Sequence, residues 1–204
     1  DFARTDLWFM LRGAGMPLTL TLWAVLGGTA MGLVFGVLRA AAPWWINAPI
    51  GAVLDVFRSI PLLIQFILAN SFKSIIGLDM SAFMVACVVL ALYTSAYCTE
   101  IVRAGVLAVP STTRRAARSL GMTWSQDLRY IVYPIALRVS LPSWVGLTLG
   151  VMKDTALVLW IGIVELLRAS QVIVTRIQEP LLVLMLCGLI YFLMSYPISR
   201  LGAY

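Results

Sequence analysis

Met16–Leu38 runs for 23 residues without a charged side chain, and no other feature constrains this chain as much. A helix needs about 20 apolar residues to cross the hydrocarbon core of a bilayer. Met80–Thr99 and Pro180–Ser199 each supply a further 20 charge-free residues. In hydrocarbon every backbone N–H and C=O has to be paired within the protein, so such segments cross as helices. Composition agrees. Hydrophobic residues are 61% of the chain and charged residues 12%, against about 45–50% and about 25% in a soluble domain. Mean hydropathy is +0.95. The sequence therefore predicts an all-α integral membrane protein of a single domain spanning residues 1–204.

The chain has no histidine, which removes imidazole acid–base catalysis and histidine metal ligation together. Cys87, Cys98 and Cys187 lack CxxC spacing and fall in apolar runs, so they read as helix-packing residues. No metal site is expected. The net charge of +6 reads as arginine retained on the cytoplasmic side of a membrane rather than as a nucleic-acid surface.

Five spans are expected, over about 16–38, 48–72, 80–103, 128–152 and 180–200. The second contains Asp55, Arg58 and Pro61, and the fourth contains Pro134, Arg138 and Pro142. Thr155–Val164 is also apolar but has only 10 residues, so a re-entrant or interfacial segment is expected there. Arginine asymmetry sets the orientation. Between Arg103 and Arg138 there are six arginines and one acid, whereas Lys153 to Glu179 holds three bases and three acids. The first segment is expected in the cytoplasm, with the N-terminus outside and the C-terminus inside. Residues 1–15 suit a short helix lying in the outer interface. Ala24, Gly28, Gly32 and Gly36 recur every four residues and predict a close-packing face on the first span.

Between the third and fourth spans lies a basic loop over about 110–127. It contains Arg115-Ala116-Ala117, then Gly121 after three residues, then Ile131-Val132-Tyr133-Pro134 after nine more. It resembles the cytoplasmic coupling loop of ABC-importer permeases, with Arg115 where the family has Glu and Tyr133 where it has Leu. Phe57-Arg58-Ser59-Ile60-Pro61-Leu62-Leu63-Ile64-Gln65 resembles a stretch of the polar amino-acid permeases. So do Thr94 to Gly105, Lys153-Asp154-Thr155-Ala156-Leu157-Val158 and Ile161-Gly162-Ile163-Val164-Glu165-Leu166.

The resemblance implies five core helices per subunit and a pore made by two such subunits. It also implies two ATPase subunits carrying ATP and Mg, and a periplasmic binding protein that delivers an amino acid. Arg114, Arg115, Ala116, Ala117, Leu120 and Gly121 are then the expected coupling residues. A helix over about 113–120, capped by Ser111 or Thr112 and ended by Gly121, suits that task. Arginine in the first turn opposes the helix dipole. It implies either an acid in the ATPase cleft or a weaker half of a heterodimer, and the heterodimer is preferred.

Gln65, Thr94, Ser95, Lys153, Asp154, Thr155 and Glu165 are candidates for the substrate pathway, with helix–helix hydrogen bonding as the alternative for Gln65, Thr94 and Ser95. Asp55 with Arg58, and Glu100 with Arg103, are three apart on one helix face and are expected to pair. The chain lacks Gly-x-x-x-x-Gly-Lys-Ser/Thr, so it holds no phosphate cradle of that kind. A stand-alone secondary transporter or channel is the competing reading.

Overall fold

The computed structural model describes residues 1–203. Among them the chain is helical and forms no strand. Helix α1 is Arg4–Ala41, α2 Trp44–Ser59, α3 Leu62–Ile75 and α4 Ala82–Leu107. Helix α5 is Ser111–Ser119, and α6 Trp124–Asp127 leads through a π turn, Leu128–Val132, into α7, Tyr133–Asp154. A 3₁₀ segment, Thr155–Ile161, then leads to α8, Leu166–Ile177, and α9, Pro180–Leu201. Among the described residues four continuous helical segments are long and apolar enough to cross a membrane, and the bent pair α2–α3 passes the same test when taken as one broken span.

The glycine face of the first span decides the packing. Helix α1 lays Gly28 on Thr94, Gly32 on Cys98 and Gly36 on Val102 of α4, and this is the most extensive helix contact in the chain. A Cβ on any of the three would sit 2.6 Å from the β-carbon it faces. Lipid tails are as apolar as leucine, so helices associate in a bilayer through such close backbone approach rather than through hydrophobic burial. One core joins Leu20, Ala24, Phe66, Ala86, Leu90 and Val151 across α1, α3, α4 and α7. A second joins Met10, Ala14, Leu166, Ile173, Val183 and Cys187 across α1, α8 and α9.

The second span is broken. Pro61 disfavours helical backbone at Ile60, and α2 and α3 meet at 99°. The break frees carbonyls that hydrocarbon cannot satisfy. The Gln65 amide donates to both Phe57 O and Ile60 O, at 2.8 Å each. Gln65 thus spends both donors on mending the helix break.

Two expectations need correction. Residues 1–15 do not form a separate interfacial helix, because α1 runs unbroken from Arg4 through Gly13, Gly15 and Pro17. Its first turns are held by α8, with Arg176 paired to Asp6 and Gly13 pressed on Glu165 O and the Ala169 Cβ. The coupling-loop helix starts at Ser111 instead of about 113, and its N-cap is Pro110, so neither Ser111 nor Thr112 caps it. The preset proline φ of −60° opens the helix there. The chain after the 3₁₀ segment forms α8, an amphipathic helix whose buried residues are Leu166, Ala169, Ser170 and Ile173. That spacing follows one helical face.

Candidate functional site

Two ends of the bundle carry the candidate residues. At one end lie the close of α1, the start of α2, the close of α4 and the loop from α5 to the π turn. At the other lie the start of α1, the 3₁₀ segment and α8.

The first end is a charge cluster. Arg39 on α1 pairs with Glu100 on α4, and its Nε donates to Asn47 Oδ1 on α2 at 2.7 Å. Its guanidinium lies over Gly51, where a Cβ would meet Nη2 at 2.5 Å. Arg103 Nη1 is 3.7 Å from Glu100, and Arg58 pairs with Asp55. Glu100 therefore serves α1 first and its own helix second. Sequence reasoning missed Arg39, since an arginine closing a charge-free run reads as a membrane-side anchor. Nothing local links it to a partner 61 positions away.

The loop beyond α4 presents a helix. Helix α5 turns Ser111, Thr112, Arg115, Ala116 and Ser119 outward, while Ala117 is buried. Leu120 is 84% exposed, a large apolar side chain left on a polar surface. Gly121 ends the helix at φ +82°, with its N–H on Arg118 O at 2.9 Å and the Met122 N–H on Ala117 O at 3.2 Å. The left-handed residue and its two closing bonds satisfy the last carbonyls. Arg114 faces inward to Asp127. Val109, Leu128 and Val132 fill the space behind the loop.

At the opposite end Lys153 is exposed, Asp154 half-buried and Thr155 buried. Thr155 Oγ1 donates to Met152 O at 2.5 Å. Glu165 is fully buried and caps α8. Its carboxylate accepts from Leu167 N at 2.8 Å, Arg168 N at 2.7 Å and the Tyr191 hydroxyl on α9 at 3.0 Å. A buried charge is tolerable only when compensated in this way. Thr94 and Ser95 lie in the α1–α4 interface, where Thr94 carbons fill the space over Gly28 and Ser95 Oγ donates to Leu92 O. Thr94 and Ser95 are taken up by the α1–α4 interface and Thr155 and Glu165 by bonds within the chain, while Lys153 is left exposed.

A groove of about 760 Å³ between α1, α4 and α7 is lined by residues including Leu33, Val102, Leu137 and Trp144. Trp144 Nε1 donates to Thr29 Oγ1 at 2.9 Å, tying α7 to α1. Its wall is almost wholly apolar and does not suit a zwitterion.

Replacing Glu165 with alanine should lower stability by about 1–3 kcal/mol, from a lost N-cap and a half-buried Tyr191 hydroxyl left without its acceptor. Thermal unfolding in mild detergent checks this. Glu165→Gln, which keeps one acceptor oxygen, should lose less, and an unchanged midpoint for the alanine variant would remove Glu165 from its structural role.

Comparison with known proteins gives this geometry a family. Residues 28–203 match the model of the binding-protein-dependent transport system inner membrane component. The octopine transport system permease protein OccM of Rhizobium meliloti is 31% identical over 97% of this chain and 86% of its own. The glutamine transport system permease protein GlnP of Escherichia coli strain K12 is 31% identical over 81% of this chain and 76% of its own. Among solved structures, an amino acid ABC transporter crystallised with histidines superposes with a TM-score of 0.86 at 32% identity, covering 96% of this chain and 91% of that one. An inward-facing structure of the MetNI methionine ABC transporter shares the fold, with a TM-score of 0.84 at 21% identity, 99% of this chain and 96% of that one. With 176 of its 204 residues inside the family model, the chain belongs to the binding-protein-dependent transport system inner membrane components.

Proposed function

We propose that this chain is the membrane-spanning permease subunit of an ATP-driven importer for polar or charged amino acids. One observation carries the reading: a short helix, α5, displayed at one end of a five-span bundle with its Arg115–Ala116 face free and its position held from behind. The relatives named for octopine and glutamine transport support the substrate class.

In this reading the α5 end faces the cytoplasm and the α8 end faces outward. The chain sits in the bacterial inner membrane with its N-terminus outside and its C-terminus in the cytoplasm. ATP and Mg are held by two separate ATPase subunits. ATP binding draws the two ATPases together, the seated α5 helices follow, and the pore opens toward a periplasmic binding protein. Hydrolysis resets it. Arg115 puts a cation on the seated face, which suits a heterodimer whose second permease differs from this one.

Lys153, Asp154, Thr155 and Glu165 lie at the end where substrate arrives. Lys153 and Asp154 offer opposite charges to a carboxylate and an ammonium. Glu165 reaches a cationic side chain only by exchanging its present donors.

The test is purification of a tagged chain in mild detergent at native expression, with mass spectrometry of what accompanies it. An ATPase with a second, related permease is expected. An ATPase alone would keep the importer and overturn the heterodimer. No ATPase in any detergent or nucleotide state would overturn the coupling reading in favour of a stand-alone transporter.

A further inference from the structure

Asp127 is the one acid between Arg103 and Arg138, and it is wholly buried. Arg114 of α5 holds it, with Nε and Nη2 both 2.8 Å from Oδ2. Asp127 closes α6, which itself opens on a reciprocal Thr123–Gln126 cap. The next residue begins the π turn, in which the Tyr133 N–H reaches Leu128 O five residues back. Pro134 follows and lacks an N–H. The ion pair therefore ties the displayed helix to the residue that precedes the π turn leading into α7.

That point opens an irregular turn. A π turn is a one-residue misfit within a helix, and such turns concentrate at functional sites. The grip also has slack. Both arginine donors converge on Oδ2, while Oδ1 is buried without a partner. Arginine and carboxylate also pair fork to fork, with one N–H on each oxygen. A small rotation exchanges one arrangement for the other without breaking the pair.

We propose that the Arg114–Asp127 pair is the positioning strut through which movement of α5 is delivered to the π turn and α7. Both residues act through α7 and touch neither substrate nor nucleotide. The proposal rests on the coupling reading of α5. Arg115, on the outward face, seats the helix; Arg114, on the inward face, passes its displacement on. Removing Arg114 leaves the buried Asp127 carboxylate uncompensated, and removing the Asp127 charge leaves Arg114 without its anchor, so the link should fail while the seat survives.

The test uses the complete transporter in vesicles and reads the ratio of substrate imported to ATP hydrolysed, counted only over complexes that retain the ATPase. Arg114→Ala and Asp127→Asn should each lower that ratio at least fivefold while hydrolysis continues. The double variant should be no worse than the poorer single, as expected for two residues in one interaction. A purely structural role would reduce the number of assembled complexes and leave the ratio of the survivors unchanged, and that result would overturn the strut. Failure of the unmodified chain to hold an ATPase would overturn the coupling reading itself, and the strut with it.

Discussion

Replacing Gly32 with leucine should cost this chain its folded bundle. Gly32 faces Cys98 so closely that a bare Cβ would lie 2.6 Å from the Cys98 Cβ, 2.7 Å from Sγ and 3.1 Å from its carbonyl carbon. The last is backbone and cannot rotate away, so α1 and α4 must separate along their whole contact. Overpacking a well-packed interior by a few methylenes is worth about 1–3 kcal/mol, and this substitution should exceed the upper end. Recovery of monodisperse protein in mild detergent should collapse relative to the unmodified chain. Gly188→Leu is the control, since nothing lies within 4 Å of a Cβ there, and that variant should be recovered normally. Cys98→Gly combined with Gly32→Leu should restore part of the yield by reversing which helix carries the side chain. Normal recovery of Gly32→Leu would mean that α1 and α4 are not held by this face.

The second large effect falls on transport and leaves the bundle intact. Gly121→Val should abolish uptake, by at least tenfold, in protein that still inserts and folds. A Cβ there would meet nothing within 4 Å, so space next to the backbone is not the obstacle. The backbone is: φ is +82°, which opposes an L-residue by about 1–2 kcal/mol and a β-branched one most of all. The chain would leave that region and re-aim the end of α5 against α6. Gly121→Asn should keep far more uptake, because asparagine tolerates the left-handed region. Equal loss in both variants would mean that the turn matters for a reason other than its backbone conformation. Uptake unchanged in the valine variant would sink the role assigned to the loop.

The spans were legible because hydropathy is a one-dimensional signal and the bilayer reads it directly. The close-packing face was legible for a similar reason, since four-residue spacing on a helix is a direction in space. Legibility ended where a partner lies far along the chain. Nothing near Arg39 announces Glu100, and nothing near Tyr191 announces Glu165. Polar residues in apolar runs were the most ambiguous. Gln65 reads equally well as a path-lining amide, yet its donors repair a break that becomes visible only when Pro61 is seen to bend the chain by 99°. The separate interfacial helix over 1–15 failed because charges and aromatics there suggested a boundary, while α8 supplies polar partners that let α1 continue. Helix α8 is amphipathic and so gives no long apolar run, although Leu166, Ala169, Ser170 and Ile173 mark its buried face.

The pairing of α1 with α4 also sets an order of birth. Helix α1 ends at Ala41 and α4 ends at Leu107, so 66 further residues must be synthesised before α1 meets its partner. At about 5–20 residues per second that is roughly 3–13 s. During that interval Arg39 waits at the membrane surface without Glu100, and the bare glycine edge of α1 is open to any neighbouring helix. Whatever shelters a nascent membrane protein has to keep the first span unclaimed until the third arrives.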